Sequence, residues 1–236
     1  MKFYMLVLAL DTTTRRGSAA LLRDGTVVDS ESSDGARAYA ERLPADLVRL
    51  LERHQLRVQD IDLFAVAAGP GSFTGLRIGI ATMQGLALAN GRLMAGVSAL
   101  DALARAAQEK WGRVPPDPIF PGPFFVGTMI DAGRGEVFAA LYRDRQVVDG
   151  PSAEKPDAVL ARWATLAPAG DIVFVGDGAP AGAEVPALAP AIAQLAFEAA
   201  GRNEAVPPDV IRPIYVRRPD VELTRDRRAA AASQPR

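Results

Sequence analysis

Displaced by 120 positions, the chain falls back onto itself. Ala19-Ala-Leu-Leu-Arg-Asp-Gly-Thr-Val-Val-Asp-Ser30 meets, without a gap, Ala139-Ala-Leu-Tyr-Arg-Asp-Arg-Gln-Val-Val-Asp-Gly150, and 8 of the 12 positions are identical. In the same shift Asp11 meets Asp131. A repeat of this kind means that one folding unit is used twice. In each copy an apolar run, Leu6 to Leu10 or Phe124 to Ile130, ends in that Asp and is followed by a polar turn and a second apolar run. Asp24-Gly25 is a hairpin signal. Each half therefore opens as strand, Asp turn, strand, hairpin, strand. We expect an α/β protein of two lobes, residues 1–109 and 110–200, with a C-terminal segment 201–236 that is disordered after about 219.

Helical periodicity fills the space between these strands. Glu41 to His54 places Leu43, Leu47, Leu50 and Leu51 on one stripe. Leu63 to Ala68 reads as a strand, and a helix is expected from Leu76 to Asn90. Ser98 with Asp101 resembles a capping box opening another helix. Trp111 to Pro123 reads as a linker, Asp171 to Val175 as a strand, and Ala191 to Ala200 as a helix that Gly201 stops.

Composition removes several chemistries. A net charge of -1 gives no basic excess for charge-driven nucleic-acid binding. With no Cys and one His, His54, the chain has no disulfide, no thiol nucleophile and no His-rich metal site of its own. His54 ends a helix, where a cation suits the dipole. Apolar stretches are interrupted before the roughly 20 residues a membrane span needs, and the N-terminus lacks a signal-peptide pattern. A cytoplasmic location is expected.

Two motifs carry the candidate chemistry. Asp11-Thr12-Thr13 could position a metal or a water beside phosphate-binding amides, or Asp and Thr could simply close a tight turn. Gly69-Pro70-Gly71-Ser72-Phe73-Thr74-Gly75-Leu76-Arg77 joins a strand to a helix, where free amides bind anions. It is no P-loop, because no Lys is near, and no Gly-x-Ser-x-Gly elbow, because Ser72 is second in Gly71 to Gly75. The helix that follows carries Gly79, Ala81, Gly85, Ala87 and Ala89. Interior Gly costs about 1 kcal/mol relative to Ala, so another element, internal or from a second chain, is expected to approach it closely.

These residues together resemble the TsaB (YeaZ) family. Leu8 to Thr13 is similar to its opening, and Gly69 to Gly79 to its hallmark. Val97 to Ala104, Asp131 to Phe138 and Pro213-Ile-Tyr-Val-Arg217 resemble its later blocks. Family members usually carry His where Tyr39 stands.

The resemblance implies a duplicated two-lobe actin/Hsp70-like (ASKHA, ribonuclease H-like) fold, in which the Asp turns face each other across a nucleotide cleft. It implies a non-catalytic partner of TsaD, the transferase of tRNA threonylcarbamoyladenosine synthesis, with TsaE as a further partner and tRNA engaged through the complex. It implies no catalytic residue, no metal and no cofactor, with weak ATP or ADP binding left to the interface of the complex. Any vestigial nucleotide site falls on Asp11, Thr12, Thr13, Asp131, Gly176, Asp177 and Gly178. The family pairs its first-lobe helices, as a homodimer or with TsaD, and this carries the interface to Leu43, Leu47, Leu50, Leu51, Leu76, Gly79, Ile80 and Met83. An ATP-dependent phosphotransferase of the same superfamily is the alternative that Asp11, Asp131 and Gly176-Asp177-Gly178 suggest. A peptidase has the least support, because no base stands beside Ser72.

Overall fold

The computed structural model describes residues 4–14, 17–32, 39–111, 125–168, 171–181, 183 and 185–217. Most of the expected linker and the end of the chain lie outside them.

The first sheet contains β1 (Leu6–Asp11), β2 (Ser18–Arg23), β3 (Thr26–Ser32), β4 (Leu63–Gly69) and β5 (Leu93–Ser98), in the order β3-β2-β1-β4-β5. The second contains β6 (Phe125–Gly133), β7 (Glu136–Arg143), β8 (Gln146–Glu154) and β9 (Ile172–Val175), in the order β8-β7-β6-β9. In both, the opening three strands run antiparallel and the next strand pairs parallel with the first. The duplication extends to a register irregularity, between Leu21 and Leu22 in one lobe and between Leu141 and Tyr142 in the other.

Strand side chains alternate between faces, so each sheet feeds two cores. Leu8, Leu10 and Leu21 face outward and meet Leu43, Leu47, Leu50 and Leu51 of α1 (Tyr39–Glu52) and Ile80 and Met83 of α2 (Phe73–Ala89). Val7, Ala9, Ala20 and Leu22 face the middle of the molecule. There they pack with α3 (Ala99–Trp111), α5 (Ala189–Gly201) and the inner residues Val126, Ile130 and Ala140 of the second sheet. On the far side, Met129, Ala139 and Leu141 pack on Val159 and Trp163 of α4 (Pro156–Trp163).

The central helices cross over. α3 follows the first sheet in sequence but packs on β6, β7 and β9, whereas α5 follows the second sheet and packs on β1, β2 and β4. A boundary at residue 109/110 thus parts the sheets but not the helices that serve them. Gly201 is the last residue of α5; the left-handed residue that turns the chain away is Asn203 (φ 59). α2 begins at Phe73, earlier than the periodicity indicates, because Ser72 Oγ caps it by accepting from Gly75 N at 3.2 Å. Among the described residues no helix is long and apolar enough to cross a membrane.

From Val206 the chain runs back along the first lobe as a strap. Val206 pairs with Met94 at the edge of β5, and Gln84 Nε2 donates to the carbonyls of Pro208 (2.7 Å) and Ile211 (3.2 Å). Ile211 is buried in the outer core of that lobe. Ile214 N then donates to Ala68 O at 2.6 Å, which sets the strap across the end of β4.

Candidate functional site

Asp11 closes β1 and is 1% exposed. Its Oδ1 accepts from Thr13 N (2.7 Å) and Thr13 Oγ1 (2.5 Å), and its Oδ2 from Thr14 Oγ1 (3.1 Å). Burial pushes its carboxyl above the ordinary value; the Thr13 and Thr14 bonds oppose the rise, and the nearby charge of Asp177 adds to it.

The glycine-rich loop is locked onto this turn. Thr12 Oγ1 donates to Gly75 O at 2.7 Å, and Ser72 N donates to Thr13 O at 2.9 Å. A Cβ on Gly75 would lie 1.9 Å from Thr12 O, and one on Gly79 would lie 2.2 Å from Thr12 Oγ1. A Cβ on Gly71 would fall 2.6 Å from Thr13 Cβ. Small residues are needed here because the Asp turn presses into the start of α2. The amides of Ser72, Gly75 and Leu76 all have protein acceptors: Thr13 O, Ser72 Oγ and Ser72 O.

The second lobe repeats the economy. Asp131 Oδ1 accepts from Gly133 N (2.8 Å), and Asp131 N donates to Asp177 Oδ1 (2.9 Å). Gly176 (φ +110) and Gly178 sit against the end of β6, where added Cβ atoms would approach Met129 O at 2.1 Å and Asp131 N at 2.8 Å. Gly178 N donates to Met129 O at 3.0 Å. Among the described residues no group of His, Cys, Asp and Glu is arranged to hold a metal ion.

Between the lobes lies a cleft of about 420 Å³, lined by the loop from Pro70 to Phe73, by Leu76, by Asp131 to Gly133, by Phe138 and by strap residues Ile214 to Arg217. Phe73 stacks on Tyr215 with centroids 5.9 Å apart, and the Arg77 guanidinium lies 4.0 Å from the Phe73 ring centroid. Arg217 crosses to the second lobe, where its guanidinium donates to Glu136 Oε2 and to Ala132 O (3.0 Å). Thr74 and Arg77 are exposed and Pro70 is buried.

Of the expected nucleotide-site residues, the structure thus brings Asp131, Asp177 and Gly178 together at the end of β6, with Asp11, Thr12 and Thr13 on the facing lobe. Only Asp131 of this group lines the cleft. The strap was not anticipated as part of the site. Its Pro207, Pro208 and Pro213 allow no more than the short helical turn Pro208–Val210 and no central strand, and nothing in that pattern says where it docks.

The expected interface residues are placed differently. Leu43, Leu47, Leu50, Leu51, Leu76, Ile80 and Met83 are all at most 5% exposed, and Gly79 is filled by Thr12. They are core residues, because the apolar stripe of each helix is spent on β1, β2 and β4. The outward faces are formed instead by Val48, Arg49 and Glu52 on α1 and by Arg77, Ala81, Gly85 and Leu88 on α2. Val48 is 49% and Leu88 74% exposed.

The family TsaD, tRNA N6-adenosine threonylcarbamoyltransferase, matches residues 30–206. The tRNA threonylcarbamoyladenosine biosynthesis protein TsaB of Escherichia coli (strain K12) is 36% identical over 179 residues, covering 74% of this chain and 72% of that protein. Its namesake in Bacillus subtilis (strain 168) is 29% identical over 174 residues, covering 73% and 71%. The solved structure of YeaZ from Pseudomonas aeruginosa superposes with a TM-score of 0.73 at 30% identity, covering 89% of this chain and 99% of that one.

Proposed function

Because the chain belongs to the TsaB (YeaZ) family, we propose that it is the accessory subunit that binds and supports TsaD, with TsaE, in placing threonylcarbamoyl on tRNA adenosine. The observation that carries the accessory reading is the closure between Asp turn and glycine-rich loop. In an enzyme handling a phosphorylated substrate, the amides at the start of α2 and the Asp carboxylate would point at ligand. Here Ser72 N is bonded to Thr13 O and Thr12 Oγ1 to Gly75 O across the two segments, while Gly75 N is taken by Ser72 Oγ and the Asp11 carboxylate by Thr13 and Thr14 within their own. The motif works as a joint between β1 and α2, and it fixes the helix that a partner would meet.

The partner face is the outward side of α1 and α2, with exposed Val48, Ala81, Gly85 and Leu88. Its small residues at Ala81 and Gly85 admit a close helix. The same face serves a homodimer when TsaD is absent. The tRNA is engaged through the assembled complex in the cytoplasm, and the chain carries no cofactor of its own, with any ATP or ADP held weakly at the complex interface.

The test is reconstitution. Purified chain, TsaD and TsaE of the same organism are mixed with tRNA, a threonylcarbamoyl donor and ATP, and product is counted with and without the chain. Loss of product on omission, together with a stoichiometric complex by light scattering, supports the reading. Unchanged product without the chain overturns it.

A further inference from the structure

The two Asp turns are held by different means. In the first lobe the turn is pressed into the start of α2, with Thr12 Oγ1 on Gly75 O and Ser72 N on Thr13 O. In the second lobe β9 leads into no helix of that kind; the next helix, α5, packs on the first sheet. The root of the second turn is packed, because Asp177 and Gly178 sit against Asp131. Its tip is three left-handed residues in succession, Gly133, Arg134 and Gly135 (φ 70, 59 and 73), and a Cβ on either glycine would meet nothing within 4 Å. Arg217 grips the turn from both sides of that tip, donating to Ala132 O at 3.0 Å and to Glu136 Oε2.

Arg217 belongs to the strap, and the strap is anchored on the first lobe. Val206 and Met94 exchange two backbone bonds, of 2.8 and 2.9 Å, Gln84 holds the carbonyls of Pro208 and Ile211, Ile211 is buried, and Ile214 N reaches Ala68 O. The far end is an ion pair whose side chains keep 27% (Arg217) and 33% (Glu136) exposure. A pair this open to water is weak and screened by salt, unlike a backbone bond beside a buried aliphatic side chain. Away from the cleft, the two sheets share the central core with α3 and α5, so the lobes are joined there by apolar packing. Strain that pulls the cleft walls apart therefore falls first on the Arg217 contacts.

We infer that Arg217 is a releasable clasp across the cleft. Bound to the turn at Ala132 and Glu136, it fixes the spacing of the two walls; released, it lets the second lobe swing about the central core and opens the cleft along Asp131 to Gly133. Phe73 and Tyr215 stay stacked in both states, because α2 and the strap belong to the same wall. The clasp is a property of the lone chain and does not depend on the TsaD reading.

The experiment uses the full chain, which has no Cys of its own. Spin labels on Thr74→Cys in α2 and Asp157→Cys in α4, both exposed positions, report the distance between the lobes by pulsed electron paramagnetic resonance. Arg217→Ala is expected to raise the longer-distance population about two- to fivefold, the range a part-exposed ion pair governs. Glu136→Gln, which removes the same pair from the other side, is expected to do likewise. Higher salt should shift the parent in the same direction and leave Arg217→Ala unmoved. Arg202→Ala, which removes an exposed ion pair with Glu204 outside the cleft, should leave the parent distribution unchanged. An Arg217→Ala distribution identical to the parent's, or a change that Arg202→Ala reproduces, overturns the proposal.

Discussion

Asp29 and Asp149 hold equivalent places in the two lobes, and each binds a guanidinium and a ring nitrogen from the end of the helix that follows. Asp29 Oδ2 accepts from Arg53 Nε (2.9 Å) and pairs with His54 Nε2 (2.9 Å), while Asp149 Oδ2 accepts from Arg162 Nε (3.0 Å) and Trp163 Nε1 (2.7 Å). In each lobe consecutive residues at a helix end, a guanidinium and a ring N–H, tie the outer helix to the third strand. The duplication therefore covers α1 and α4, although Arg53 and Arg162 are 109 positions apart (162 − 53) and no gap-free comparison aligns them. His54 acts as a clamp between helix and sheet.

The two clamps differ in what removal exposes. Trp163 is 0% exposed, so Asp149→Ala leaves an indole N–H buried without an acceptor, at a cost of about 2 kcal/mol. Arg53 and His54 side chains keep 45% and 24% exposure and turn to water in Asp29→Ala, so its cost is about 1 kcal/mol or less. Urea denaturation of both variants checks the order.

The Asp29 clamp is also pH-dependent. The Arg53 bond holds the Asp29 carboxyl below its ordinary value of 3.8, against the opposing effect of burial. A carboxyl depressed in the folded state contributes fully above the unfolded value and loses that contribution as pH falls through the folded one. The stability deficit of Asp29→Ala is expected to be constant above about pH 5 and to shrink in acid. A deficit equal at pH 7 and pH 2 would rule out the ion pair as its source.

Asp11 separates structure from chemistry. Asp11→Ala strands the Thr13 amide and the Thr13 and Thr14 hydroxyls in a buried turn, and about 1–3 kcal/mol of stability should be lost. Asp11→Asn keeps an acceptor for Thr13 and removes a charge that burial disfavours, so its stability at neutral pH should match or exceed that of the parent. Unfolding of Asp11→Asn at neutral pH as easily as Asp11→Ala would show that the charge itself holds the turn.

The sequence displays much of this directly, and the reasons it stops are physical. Continuous apolar runs ending in Asp11 and Asp131 announce buried strands. The Leu43-Leu47-Leu50-Leu51 stripe announces a helix, but periodicity alone cannot say whether a stripe meets its own sheet or a partner. β5 gives no clear strand signal because Met94-Ala95-Gly96 lacks β-branched and aromatic residues and its Gly weakens a strand. α4 shows no stripe because only Val159 and Trp163 of its residues are buried. The strap has no period at all. Gly79 and Gly85 stand out as helix-interior glycines, yet what fills Gly79, Thr12, is brought there only by the parallel pairing of β1 with β4.

That anomaly gives a contrast in sign along a single helix. Gly75→Ala and Gly79→Ala would place a Cβ 1.9 Å and 2.2 Å from atoms of Thr12, and the forced displacement of the Asp turn should outweigh the roughly 1 kcal/mol that Ala gains in helix propensity. Gly85 has nothing within 4 Å of its missing Cβ, so Gly85→Ala should raise stability by about 1 kcal/mol. Thermal denaturation of the three variants reads the difference.

Gly85 then offers a test of the partner face that core residues cannot. Leu47→Asp or Met83→Asp would bury a charge in the outer core and unfold the lobe, so a lost complex would mean nothing. Leu88 and Val48 are 74% and 49% exposed, and Leu88→Asp or Val48→Asp should leave the Tm of the lone chain within a few degrees. If the outward face of α1 and α2 is where a second helix docks, each substitution weakens assembly with TsaD by about tenfold or more. Gly85→Ala is then expected to stabilise the free chain while loosening the complex, because its Cβ stands where the partner backbone comes closest. Light scattering of the mixtures, beside melting curves of the single chains, reads both effects. Complexes that survive all three substitutions would move the partner to another surface.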